Sequence, residues 1–319
     1  MGRDKKRPDS YKPLLELYLR GKPEGGRLLV PGVFRALPDA LTRRECLVLV
    51  HGFNNTDSEA AVAYFGFRGR QQEIFGTPDP AAFDRRFGDA YWPGDADWWS
   101  FFDKVDFLVY PSSVHNSVKT APELAKLLWR MPNLERVDFI GHSLGCRVTL
   151  ETLLLLRTRT LPRIGRIVLM AAAVPSEMLE RGGRFYDLLR ELAAEGTTIR
   201  VLHSKQDPVL HYAFPPGQSL AGGKEASDRA LGRFGPTPFM PGYRATLTDR
   251  EITGASHGDY WGHTKSPPSR LATEEVGRFL SLGDIGREVG VRRELGAPAS
   301  WQPSRDLGEV RELSEFGRL

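Results

Sequence analysis

A mostly parallel α/β sheet with helices on both faces is the fold class that this 319-residue chain predicts. Three observations point to it. Apolar runs at Leu47–Val50, Asp106–Tyr110, Val137–Ile140, Ile167–Met170 and Thr198–Leu202 suit strands buried on both faces. Stretches with helix start and stop signals separate these runs. The alternation holds from about Leu47 to Leu280, as in strands joined by crossover helices.

Taken in order, residues 1–44 read as an N-terminal leader. Pro8, Pro13, Pro23 and Gly25-Gly26 predict loose chain, with one short helix at Leu14–Leu19. Leu47–Val50 is the first central strand, and His51-Gly52-Phe53-Asn54-Asn55 is the loop after it. Thr56-Asp57-Ser58-Glu59 forms a capping box that opens a helix. Tyr91-Trp92-Pro93-Gly94 is a short strand ending at a turn, and Asp106–Tyr110 is the next strand. A second capping box, Thr120 to Glu123, opens a helix to Trp129.

Val137–Ile140 is a strand, Leu144 to Leu156 the helix after it, and Leu161-Pro162 a stop signal. A helix over Arg184–Ala194 ends at Gly196. The Gly/Pro-rich stretch 213–244 is a surface excursion and a candidate lid. Arg244–Ile252 is the last strand, Leu271–Leu280 the last helix, and 281–319 a charged tail. The expected organisation is one domain over 45–280.

Composition excludes some classes. Forty-four Lys+Arg against 40 Asp+Glu leaves +4, with no basic stripe, so nucleic acid is not an expected partner. Arg3, Lys5, Lys6 and Arg7 read as a solvated terminus. No apolar run approaches the roughly 18 residues of a membrane span. The N-terminus lacks the apolar stretch of a signal peptide. Cys46 and Cys146 sit in apolar surroundings and read as buried thiols in a reducing compartment, so a cytoplasmic protein is expected.

The chemistry centres on Gly141-His142-Ser143-Leu144-Gly145, between a strand and a helix. The pattern alone is weak. Its context is that of a serine held on a strained turn with its hydroxyl exposed. A serine hydroxyl needs a base, and the base needs an acid to orient it. Asp207 follows the Thr198–Leu202 strand, and His257 follows the last strand. That gives the order Ser, Asp, His, with Asp228 and His263 as the rival acid and base. Leu144 and Phe53 are the candidate backbone N–H donors to a developing oxyanion. His51, Gly52, Asn54, His142 and Trp92 are candidates for lining the substrate pocket, with His51 expected to shape its loop through hydrogen bonds. His257, Asp259 and His263 lack metal-site spacing, so neither metal nor organic cofactor is expected.

Val48-Leu49-Val50-His51-Gly52-Phe53-Asn54-Asn55, Trp92-Pro93-Gly94 and the Gly141–Gly145 turn resemble the alpha/beta-hydrolase superfamily. They look closest to a bacterial branch of esterase-like serine hydrolases. The resemblance takes in Ser204 to Asp207 and His257 to Tyr260, and so covers roughly residues 45–280. It implies Ser143 as nucleophile, Asp207 as acid, His257 as base, and Phe53 and Leu144 as oxyanion donors. Gly94 departs from the branch, which often has serine there. The expected reaction is cleavage of a small-molecule ester or related acyl compound through an acyl-enzyme, of the carboxylesterase class. Two alternatives stand beside it: a lipase or phospholipase at a membrane surface, and a non-catalytic protein that binds a ligand or partner on a hydrolase fold.

Overall fold

The computed structural model describes residues 7–21, 29–53, 55–76, 79–94, 106–212, 214, 229–237 and 246–284. Asn54, Asp228, most of the 213–244 stretch and the tail beyond Asp284 lie outside them. Eight strands form one sheet in the order β2-β1-β4-β3-β5-β6-β7-β8. They are β1 (Leu15–Arg20), β2 (Leu29–Ala36), β3 (Glu45–Val50), β4 (Phe87–Tyr91), β5 (Arg136–His142), β6 (Arg163–Met170), β7 (Thr198–His203) and β8 (Leu247–Glu251). Only the β1–β2 pairing is antiparallel. The helices are α1 (Asp57–Phe75), α2 (Pro80–Arg85), α3 (Asp106–Trp129), α4 (Gly145–Leu156), α5 (Tyr186–Ala194), α6 (Pro208–Tyr212), α7 (Leu231–Phe234) and α8 (Pro267–Leu280). Among the described residues, no helix is long and apolar enough to cross a membrane.

The chain leaves β3 through α1 to reach β4 on one side, then returns through α3 to β5 on the other. Right-handed crossovers in opposite directions place α1 and α3 on opposite faces. The contacts agree: α3 packs with α4, whereas α1 packs with α8 and the Asp259–Trp261 turn. The connections reverse direction between β3 and β5, and sheets of this kind bind ligands outside the carboxyl ends of their strands at such a switch point.

Local signals explain the elements. β3 and β5 are apolar and buried along almost their whole length, as central parallel strands must be. The Thr56 capping box opens α1 as expected, and Gly76 closes it in the left-handed conformation. Ala60, Tyr64, Phe67 and Gln71 make the buried stripe of α1 at helical spacing.

Two expectations fail. Leu14–Leu19 is not a helix in a loose leader; Leu15–Arg20 is a fully buried strand inside the sheet. Leu15, Leu17 and Leu19 alternate with Glu16, Tyr18 and Arg20, which is strand period. Glu16 is buried because it pairs with Arg7 at 2.7 Å. On the neighbouring strand β4, its register partner Asp89 takes hydrogen bonds from Tyr11 and Arg68, so a buried polar network spans β1 and β4. Likewise, Asp106–Tyr110 is not a strand but the first part of α3. A short apolar run does not distinguish a strand from a buried helical segment.

Candidate active site

Ser143 sits between β5 and α4 with φ 53°, a left-handed conformation that an L side chain adopts at a cost of roughly 1–3 kcal/mol. The surroundings hold it there. Its N–H donates to the Met170 carbonyl at 2.9 Å, and its carbonyl accepts from Cys146 and Ala173 at 3.1 Å each. A Cβ at Gly145 would lie 2.2 Å from the His51 carbonyl oxygen, and one at Gly141 would lie 2.9 Å from Cys146 Cα. Both glycines are therefore required by close backbone approach. Leu144 opens α4, so its N–H belongs to the unpaired first turn of that helix.

The loop after β3 is clamped from below. The Trp92 backbone N–H donates to His51 Nε2 at 3.2 Å. That leaves the proton on Nδ1, which donates to the Gly52 carbonyl at 2.9 Å. Trp92 Nε1–H donates to the His51 carbonyl at 2.8 Å, and the two rings stack. Tyr64 receives the His51 N–H and donates to the Ala90 carbonyl. Burial pushes the His51 imidazole down to about 3, so the ring is neutral. His51 and Trp92 are 1% and 0% exposed, so these two pocket candidates instead form an internal clamp.

Asn55 Nδ2 donates to the carbonyls of Gly52 and Phe53 at 3.3 and 3.1 Å. In a planar trans peptide, the Phe53 N–H points opposite the Gly52 carbonyl, away from Asn55 and His51. Gly52 presses against the nucleophile turn: a Cβ there would lie 2.8 Å from Ser143 Cβ.

Asp207 is fully buried after β7, and its two oxygens divide the work. Oδ1 accepts the N–H groups of Val209 and Leu210 at 3.0 Å each, capping α6. Oδ2 accepts from His257 Nδ1 at 2.8 Å. A carboxylate only accepts, so the His257 proton is on Nδ1 and Nε2 carries the free lone pair. His257 lies beyond β8 with its ring 17% exposed. Among the described residues, the Ser143 hydroxyl makes no hydrogen bond.

His263, the rival base, packs against Gly66 of α1 instead of Asp207. His203 pairs with Asp249 at 3.0 Å. Among the described residues, no group of three or more His, Cys, Asp or Glu could hold a metal ion.

Two supports of the His257 loop were not read from the sequence. Asp259 accepts from Ser256 N–H and Oγ at 2.8 Å each, from Thr264 at 2.6 Å and from Ser266 at 2.8 Å. Burial alone would raise its pKa, but these hydrogen bonds outweigh burial and hold it below the ordinary value. Asp259 thereby ties both ends of the loop that contains His257. Its signal was present: Ser256-x-x-Asp259 is a local side-chain-to-backbone pattern. The second support is His142, whose Nε2 lies 2.8 Å from the His257 carbonyl oxygen.

Residues 36–214 match a family described as alpha/beta hydrolase of unknown function (DUF900). The chain belongs to this alpha/beta-hydrolase family. An uncharacterized protein from Bacillus cereus ATCC 10987 is 13% identical, covering 75% of this chain and 61% of its own, at a TM-score of 0.42. The chain thus spans 61% of that protein. An esterase from Pyrobaculum calidifontis is 14% identical over 81% of this chain and 80% of its own, at a TM-score of 0.41. Carboxyl esterase 2 from the fungus Tuber melanosporum is 12% identical over 80% and 81%, at 0.39. No curated protein sequence matches the chain.

Proposed function

We propose that this alpha/beta hydrolase cleaves a carboxylic ester, or a related small acyl compound, through an acyl-enzyme on Ser143. The single observation that carries the reading is the Asp207–His257 hydrogen bond. It leaves Nε2 as the proton acceptor on a ring whose loop is bonded to His142, the residue next to Ser143. Ser143 Oγ attacks the carbonyl carbon while its proton passes to His257 Nε2. The oxyanion draws on the N–H groups of Leu144 and Phe53. Collapse of the tetrahedral species breaks the bond to the leaving oxygen, which takes the proton from His257. Water then repeats the sequence on the acyl-enzyme and releases the acid.

The reaction as drawn uses protein groups and water, with no metal or organic cofactor. Two free, buried cysteines fit a reducing compartment, and we place the activity in the cytoplasm. The test is hydrolysis of chromogenic short-chain esters by the wild type and by Ser143→Ala. The expected loss is about 10⁴-fold or more. Undiminished activity in Ser143→Ala overturns the mechanism.

A further inference from the structure

We infer that His142 is a positioning residue for the base: its side chain ties the nucleophile turn to the backbone of His257. This rests on the catalytic reading above and adds a role for a side chain that takes no part in the proton transfers.

The geometry restricts what the ring can do. Its Nε2 lies 2.8 Å from the His257 carbonyl oxygen, and a carbonyl only accepts. The proton is therefore on Nε2, and Nδ1 has a bare lone pair. Nδ1 is buried and has no hydrogen-bond partner. It is closed off by the loop after β3, since a Cβ at Gly52 would lie 3.0 Å from it. The ring lies 4.9 Å from that of His257 and 5.8 Å from that of Trp261. One side chain therefore touches three parts of the site: the Gly52 loop, the turn that bears it and Ser143, and the base loop.

The base needs such an anchor. Asp207 sets the tautomer of His257 and holds one ring atom, but it leaves the residue free to pivot about that bond. The Nε2–H to carbonyl bond holds the backbone of the same residue. The anchor end is rigid because Ser143 is fixed by its bonds to Met170 and Ala173. Holding reacting atoms to within about 1 Å is worth on the order of 100-fold in rate. The anchor also has to stay neutral. A second proton would put an N–H against Gly52 and a positive charge beside the ring that must become positive during turnover. Burial, with His257, His263 and His51 nearby, holds the proton affinity of His142 well below the ordinary value.

The experiment compares wild type, Ser143→Ala, His142→Leu and His142→Gln by steady-state ester hydrolysis. Leucine keeps the volume and removes the donor. Glutamine places an amide N–H near the position of Nε2. His142→Leu should lose 10- to 100-fold in kcat with KM changed less than threefold, an order set by misplacement of the base. His142→Gln should recover kcat to within about fivefold of wild type.

Should His142→Leu fail to fold, His142→Asn replaces it, since its shorter amide does not reach the carbonyl; it should fall with the Leu variant. Wild-type rates in the variant without the donor, or equal losses in that variant and His142→Gln, overturn this inference alone. Absence of Ser143-dependent turnover in the wild type overturns the catalytic reading and this one with it.

Discussion

The turn that bears Ser143 and the loop that bears His257 are held by different means. The turn is fixed by backbone: a left-handed Ser143, main-chain bonds to Met170 and Ala173, and two glycines with no room for a Cβ. The loop that bears His257 is fixed by side chains: Asp207 on its ring, His142 on its carbonyl and Asp259 across its ends. Damage to the turn should therefore register first as lost stability. Damage to the loop supports should register first as lost rate with the fold intact.

The largest expected effect tests the loop side. Asp207→Asn keeps an acceptor for the α6 amides but turns a donor toward His257 Nδ1 or misplaces its proton. Activity should fall by about 10⁴-fold while circular dichroism and melting temperature change little. A collapse of the fold would instead show that Asp207 serves mainly to cap α6. Next comes the turn. Gly145→Ala forces a Cβ onto the carbonyls of His51 and Val50. Chemical denaturation should show a loss of about 3 kcal/mol or more, because neither carbonyl can move without β3. Near-native stability would contradict the backbone account of the turn.

The clamp under the Gly52 loop gives a pH test. His51 is held down to about 3 against an ordinary 6.5, mainly by burial. Below pH 6.5 the unfolded chain takes up a proton that the folded one refuses. The stabilisation is thus complete above pH 6.5 and is lost as pH falls toward 3. Between pH 6.5 and 5 this amounts to about 2 kcal/mol, with His142 adding in the same direction. Denaturant midpoints should fall over that range in the wild type and fall less in His51→Asn. Parallel slopes would mean that His51 titrates normally. The smallest effect expected is that of Asp259→Asn, which cannot accept all four hydrogen bonds. A loss of about 10-fold in kcat with an unchanged KM is expected from a looser base loop. A change in KM alone would move Asp259 to substrate binding.

Much of this site was readable from local sequence, and what was not has a physical reason. Ser143 could be read because its turn is encoded by its own neighbours, two glycines between a strand and a helix. Asp207 and His257 stand out because each follows a strand, and the fold pairs them. The supports are different. The hydrogen bond from His142 to residue 257 spans 115 positions, and nothing local announces it. The strand Leu15–Arg20 is hidden although its leucines alternate, because Pro8, Pro13, Pro23 and Gly25-Gly26 around it read as loose chain. The burial of Glu16 depends on Arg7, and that of Asp89 on Arg68, brought together only by the sheet.

The central claim is that Ser143 is the nucleophile and His257 its base. Its most direct test is peptide mapping of the protein after exposure to a fluorophosphonate probe. The account predicts one adduct, on Ser143, absent in Ser143→Ala and formed at least 100-fold more slowly in His257→Ala. An unmodified wild type with its fold intact, an adduct elsewhere, or equal rates with and without His257 would contradict it.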